Sequence, residues 1–428
     1  MTLELVRAFL HEQSYERDIG ALPYEPAHRQ PPPGQRERAV VKLGGPAREV
    51  LRRALGPLRW EPSNAYNPHR AYPSARAVFC TEAYLIADGR ALHYDPNADA
   101  LVEVDGAGEA PAGTWVALAA HPGAVATYYG NLRYALALLE AGHLAHTLAA
   151  AARALGADPV LCVHHDDRAT LALLGLPADG SWSPAALIGL APLRAEPPAA
   201  SRDAPVARGR APEHGDFALE RATWIAGRTG ELPVHATAPG SPEVLYARTS
   251  GRAGAGLSAR AAPVPRATVD AVLALLPACP IPDVPLRLLL AVERVEGLQT
   301  GLHEARADGL ELRRAGRILP EVQAAFGYPP WQVNITSLHV VWFLVARPDA
   351  VLDRHGPRGA RLLQLALGWT AQGIALASAA AGLLARPVRA YDERRLDDLL
   401  ELATDEVVGY EILGGAERFT DLAFDLRP

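Results

Sequence analysis

"YYGNLRYALALLEAGHLAHTLAAAARALGADPVLCVHHDDRATLALLGL" (residues 128–176) decides the fold once it is laid over "RHGPRGARLLQLALGWTAQGIALASAAAGLLARPVRAYDERRLDDLLEL" (354–402). Without a gap, and at a constant spacing of 226 residues, Gly130 meets Gly356, Gly142 meets Gly368 and Gly156 meets Gly382. Asp166 meets Asp392 and Leu174 meets Leu400 in the same register. Ala- and Leu-rich helices match one another readily, whereas glycines and a capping aspartate held in step mark an internal duplication. Each copy reads as a long helix with small residues on one face, then a short extended piece ("PVLCV", "RPVRAY") and an acidic cap. A shorter helix and an apolar strand follow, at 185–192 and 407–415. The element order predicts an α+β fold.

Further upstream, "ALHYDPNADALVEVDG" (91–106) matches "GLHEARADGLELRRAG" (301–316) at a spacing of 210, both reading as strand, turn, strand. Residues 193–240 are rich in Pro, Ala, Arg and Gly, with only "DFALERATWIAG" suggesting a helix. The domains expected are copy one at 1–195, a linker or surface excursion at 196–240, and copy two at 241–428. A chain of 428 residues fits two domains.

Composition narrows the partners. With 49% hydrophobic and 21% charged residues and a net charge of −6, no basic run or basic-aromatic patch asks for nucleic acid. The amino terminus carries charges throughout and does not read as a secretory signal, so the cytoplasm is expected. Cys80, Cys162 and Cys279 lie far apart without CxxC spacing and read as buried thiols rather than a disulfide framework or zinc site. Residues 363–385 approach transmembrane length, but Gly, Thr, Gln and Ser interrupt them, so a buried central helix is expected and no membrane span. His143 and His146 lie three apart on a helix with no third ligand near, so helix packing is expected and no metal. In "CVHHDD" (162–167), Asp166 takes the cap slot that Asp392 fills in the other copy.

Several motifs in order carry a family resemblance. Pro73-Ser74-Ala75-Arg76, then Thr81-Glu82-Ala83-Tyr84-Leu85, Tyr128-Tyr129-Gly130 and Ala141-Gly142-His143 resemble the nitroreductase-like flavin oxidases of the SagB/ThcOx type. Members of that family dehydrogenate thiazolines and oxazolines in ribosomally made peptides. Copy two resembles the same superfamily through Arg248-Thr249-Ser250-Gly251-Arg252, similar to the Arg-x-Ser-x-Arg that holds FMN, and through Gly356-Pro357-Arg358-Gly359. The resemblance implies two tandem FMN-dependent nitroreductase-like domains forming an intrachain pseudo-dimer. It also implies an FMN-dependent azoline dehydrogenase of peptide natural-product biosynthesis, acting on a modified precursor peptide beside other peptide-modifying enzymes. The assembly expected is a pseudo-dimeric monomer or a homodimer.

In nitroreductases the flavin lies at a dimer interface, with Arg-x-Ser-x-Arg from one subunit and the Pro-Ser segment from the other. Here copy one keeps a Pro-Ser segment and copy two an Arg-x-Ser-x-Arg, which is what one surviving site would leave, with the second interface position empty. The implied FMN-binding set is Pro73, Ser74, Ala75, Arg248, Ser250, Arg252, the loop Pro387-Val388-Arg389 and the terminal Arg418 and Arg427. Guanidinium groups and a small hydroxyl at alternate positions suit a phosphate carrying ~2 charges. The family assigns acid–base work to a Lys-Tyr pair, implying Tyr128 and Tyr129 as catalytic residues. Tyr128 replaces the lysine, and an unshifted tyrosine near pKa ~10 is a poor base. Arg76 stands where the family has glycine, and it would bind phosphate, bind acidic peptide groups or block the ring. Simple packing of the tyrosines stays open. So do an NAD(P)H-dependent nitro- or quinone-type reductase or small-molecule desaturase, and a flavin-free scaffold.

Overall fold

The computed structural model describes residues 2–11, 35–42, 44–64, 66–195, 199–202, 216–227, 231–235, 237–251, 256–276, 278–419 and 422–427, with backbone alone at 35–42 and 199–202. In copy one the strands are β1 (Thr81–Ala87), β2 (Arg90–Asp95), β3 (Ala100–Val104), β4 (Trp115–Ala120), β5 (Val160–Cys162) and β6 (Ser183–Gly189). Helix α1 (Arg133–Ala154) runs between β4 and β5, and α2 (Asp167–Leu173) between β5 and β6. Copy two repeats the series. Its strands are β7 (Leu286–Val292), β8 (Gly301–Arg306), β9 (Gly309–Ala315), β10 (Val340–Ala346), β11 (Leu384–Val388) and β12 (Val407–Gly415), with α3 (Gly359–Ala380) and α4 (Glu393–Leu399).

The duplication shows in the topology. The first sheet runs β5-β6-β4-β1-β2-β3 and the second β11-β12-β10-β7-β8-β9, the same antiparallel order in both. Helices α1 and α3 are each 22 residues long, and their bounds differ by the same 226 positions that separate the paired glycines. Asp166 and Asp392 cap α2 and α4 as expected, accepting from the backbone N–H of Ala169 and Arg395. Outside the repeat, residues 35–42 and 199–202 extend one edge of the first sheet and Leu232–Pro233 extends the other. Part of the segment read as a linker therefore builds copy one.

Why these helices meet follows from their small residues. α1 and α3 pack along each other and are buried over almost their whole length. They cross where Gly142 faces Gly368. A Cβ added to Gly142 would lie 3.0 Å from the Cα of Gly368, and one added to Gly368 would lie 3.1 Å from that of Gly142. Side chains there would push the helices apart. Pro122–Ala154 and Pro348–Ala380 are long and apolar enough to cross a membrane, but 94% of each apolar window is buried within the protein.

Strand alternation completes the layering. Ala83 and Leu85 of β1 face the central helices while Tyr84 and Ile86 face α2; Trp342 and Leu344 of β10 face inward while Val341 and Phe343 face α4. The order is helix, sheet, helix pair, sheet, helix, with one apolar core running through both copies. Cys80 and Cys162 are buried, whereas Cys279 is half-buried, short of the burial its sequence suggested.

Candidate active site

Between the copies lies a cavity of about 650 Å³. Copy one contributes Pro73, Ser74, Ala75 and Arg76 and a stripe made of Leu132, which caps α1, and Leu136, Glu140 and His143 on it. That spacing of four, four and three keeps the stripe on one helix face. Copy two contributes Arg248, Ser250, Arg386, Pro387, Val388 and Arg389, with Tyr410 of β12. The connection between β9 and β10 adds Phe326, Tyr328 and the exposed Trp331.

The Pro-Ser segment is held open by its backbone. Arg76, Ala77 and Phe79 each have φ 53°, and the hydroxyl of Ser74 accepts from the Phe79 N–H at 2.7 Å. Left-handed φ suits glycine best, so arginine at position 76 keeps the backbone shape and adds a side chain. The Arg76 guanidinium lies 4.6 Å from the centre of the Tyr128 ring. Of the two tyrosines, Tyr129 lines the cavity and Tyr128 does not.

Opposite, the segment 246–251 is fixed from copy one. Arg59, fully buried and paired with Glu61 at 2.7 Å, donates to the carbonyls of Tyr246 (2.7 Å) and Arg248 (3.2 Å). Arg248 is buried and donates to the Ser250 hydroxyl at 3.1 Å and the Arg70 carbonyl at 3.0 Å. Arg386 donates from Nε to the Ser250 carbonyl at 2.6 Å, joining a third guanidinium to the group. Arg252 lies outside the described residues. The Arg389 guanidinium is turned into its own copy, donating to Glu393 at 2.6 Å and to the Gly409 carbonyl.

The two terminal arginines do not join the cavity. Arg418 stacks on Phe419 with its guanidinium 5.1 Å from the ring centre. Strand Phe424–Asp425 pairs with Arg59–Trp60 and so carries Arg427 to Asp425 (2.7 Å) and over the Tyr246 ring (3.8 Å).

His143 sits on the cavity wall and also packs the helices. Gln372 donates its Nε2 to the Ala71 carbonyl and the Thr147 hydroxyl, both at 2.9 Å, which leaves its oxygen to accept from His143 Nδ1 at 3.0 Å. His143 Nε2 then accepts from the Tyr410 hydroxyl at 3.2 Å. Burial pushes His143 down to about 3 and raises Tyr410, so the pair stays neutral and makes a poor base and a poor acid. His146 donates to the Trp369 carbonyl at 2.9 Å and accepts from the Ala238 N–H. Helix packing, as expected, accounts for it.

Glu140, Arg386, Tyr410 and the 326–331 wall were not singled out from the sequence. Glu140 had a signal, as a lone carboxylate in "YALALLEAGHLA"; its neighbour across the fold, Tyr410, had none. Among the described residues no group of three or more His, Cys, Asp or Glu gathers as a metal site. Asp167 of "CVHHDD" is fully buried in an ion pair with Arg361 at 2.9 Å, tying α2 of copy one to α3 of copy two.

No protein-family model matches the sequence, and no curated protein matches it. A crystal structure from Anabaena variabilis, assigned as a nitroreductase, superposes with a TM-score of 0.74 over 97% of this chain and 99% of its own, at 16% identity. The fold is that of a nitroreductase. Partial matches are the Escherichia coli microcin synthetase McbBCD complex with truncated pro-MccB17 bound (TM-score 0.34, 14% identity, 39% of this chain and 69% of that one) and a protein from Ralstonia eutropha assigned as a nitroreductase (0.33, 18%, 42% and 83%). The nitroreductase fold spans the whole chain as an intrachain pseudo-dimer, with the cavity between its halves.

Proposed function

We propose that the cavity holds FMN and that the protein is an FMN-dependent oxidoreductase, a dehydrogenase converting azolines to azoles in a ribosomally made precursor peptide. The observation that supports it is the convergence of two segments more than 170 residues apart in sequence. Pro73-Ser74-Ala75 comes from one copy, and Arg248 and Ser250 from the other, onto one cavity.

The donors suit the cofactor. Arg248, Ser250 and Arg386 offer two guanidinium groups and a hydroxyl to a phosphate, and Arg252 belongs to the same motif. Pro387, Val388 and the Pro-Ser segment offer apolar surface and backbone to a flat ring. When bound, FMN supplies a ring that exchanges hydride with substrate. The chain's residues orient the two partners, and the aromatic wall of Phe326 and Tyr328 limits water. Tyr129 offers a hydroxyl to the reacting centre, while Tyr128 stands beneath Arg76.

A second reading is an NAD(P)H-dependent nitro- or quinone-type reductase, in which Glu140 would be the proton donor. Burial raises its carboxyl above the ordinary range, which suits proton donation to a reduced product. The test begins with the spectrum of the purified protein, expected to show flavin bands. A colourless protein that cannot be loaded with FMN defeats both enzyme readings and leaves a scaffold. Loaded protein given a thiazoline peptide in air is expected to remove two hydrogens per ring by mass spectrometry. No loss, with NADPH-dependent reduction of a quinone, replaces the first reading by the second.

A further inference from the structure

Glu140 is buried in the middle of α1, on the helix face that carries Leu132, Leu136 and His143 into the cavity. Its Oε1 accepts from the Thr81 N–H at the start of β1, at 2.7 Å. Its Oε2 is buried without a well-formed hydrogen bond, and the Ser74 hydroxyl and Cys80 thiol lie beside the carboxyl. One oxygen is thus anchored, and the other lies just behind the cavity wall that Glu140 helps to form. A buried polar atom in that state is costly unless a ligand or a proton uses it.

We infer that Glu140 is the proton-transfer residue of this cavity, with Oε2 as the atom that exchanges a proton with the substrate. The inference rests on the flavin reading above and assigns the group that Tyr128, in place of a lysine, leaves unassigned. In oxidation one C–H or N–H bond of the substrate breaks heterolytically and its proton passes to the Oε2 of ionised Glu140. The accompanying hydride is the flavin's share, and dioxygen is the later electron acceptor. In reduction the same Oε2–H bond breaks and the proton enters the product, with NAD(P)H as the electron source. Either direction needs one carboxyl at the cavity wall, and among the described residues Glu140 is the carboxyl that lines it.

The surroundings fit a group that changes charge. From the segment before β1 come the Ser74 hydroxyl and the charge of Arg70, which favour the carboxylate, and the Cys80 thiol, which burial and Glu140 itself push upward. From α1 and β12 come His143 and Tyr410, both neutral. Burial outweighs the hydrogen bonds from Ser74 and Thr81 and the charge of Arg70, so the carboxyl is raised.

The alternative is that Glu140 only anchors the Thr81 backbone. Full-length protein, wild type and the E140Q and E140D variants, separates the two. Glutamine keeps an oxygen for Thr81 and removes the acid. With FMN loaded and reduced by dithionite, single-turnover reoxidation by 1,4-benzoquinone is expected to slow a hundredfold or more in E140Q and to lose its pH dependence, with E140D recovering both in part. The carboxyl band of Glu140 in the infrared spectrum is expected to titrate above the ordinary range in the wild type and to vanish in E140Q. E140Q that loads FMN and reacts at the wild-type rate and pH profile overturns the role of Glu140. So does a wild-type band that titrates as an ordinary surface carboxylate, whichever variants fold. Wild type that takes up no FMN overturns the functional reading instead.

Discussion

At the scale of single residues, Glu411 on β12 shows how much burial alone does. It is fully buried with neither oxygen hydrogen-bonded, and burial pushes it up to about 8. An acid raised in the folded state contributes fully below its unfolded value near pH ~4.5, and stability falls as pH rises from there to about 8. E411Q is therefore expected to match wild type at pH ~5 and to exceed it at pH ~8, read as a higher denaturant midpoint. Equal midpoints at both would show that Glu411 is solvated. Glu411 could not be placed from sequence, and Glu140 showed only as a lone carboxylate in an apolar helix, because the burial around each comes from contacts across the fold. The motif residues Ser74, Arg248 and Pro387 could be named, because short motifs in a fixed order along the chain mark them.

Among elements, the crossing of α1 and α3 leaves no room for side chains at Gly142 and Gly368. Gly142→Ala is expected to cost roughly 1–3 kcal/mol, as overpacking does, measured by urea unfolding. An unchanged midpoint would mean that the helices separate without penalty. These glycines were legible because the repeat recorded them twice, and so were the caps Asp166 and Asp392. The wall at Phe326 and Tyr328 had no such record. It belongs to the connection between β9 and β10, residues 316–339, whose counterpart between β3 and β4 is only residues 105–114. A comparison of copies can reveal only what both copies keep.

For the whole molecule, the two interface positions have diverged. Applying the repeat spacing, Tyr129 corresponds to His355, Leu132 to Arg358 and Ala135 to Arg361, whose buried pair with Asp167 has no equivalent at the first position. One FMN per chain is expected from the ratio of flavin to protein absorbance. R248A is expected to lose it while R358A keeps it. Two flavins per chain, or loss in both variants, would contradict a single site.

The shared strand order with unshared side chains also bears on how such a protein can change. In a homodimer every substitution is written twice, so an arginine that suits one interface intrudes on the other. Here the two halves are separate stretches of one gene product. Arg361 and Asp167 bolt one interface shut, while their counterparts Ala135 and Glu393 form no such pair, Glu393 bonding to Arg389 of its own copy. Joining the halves turns one symmetric plan into two independently adjustable surfaces, one closed by a buried ion pair and one opened into a cavity.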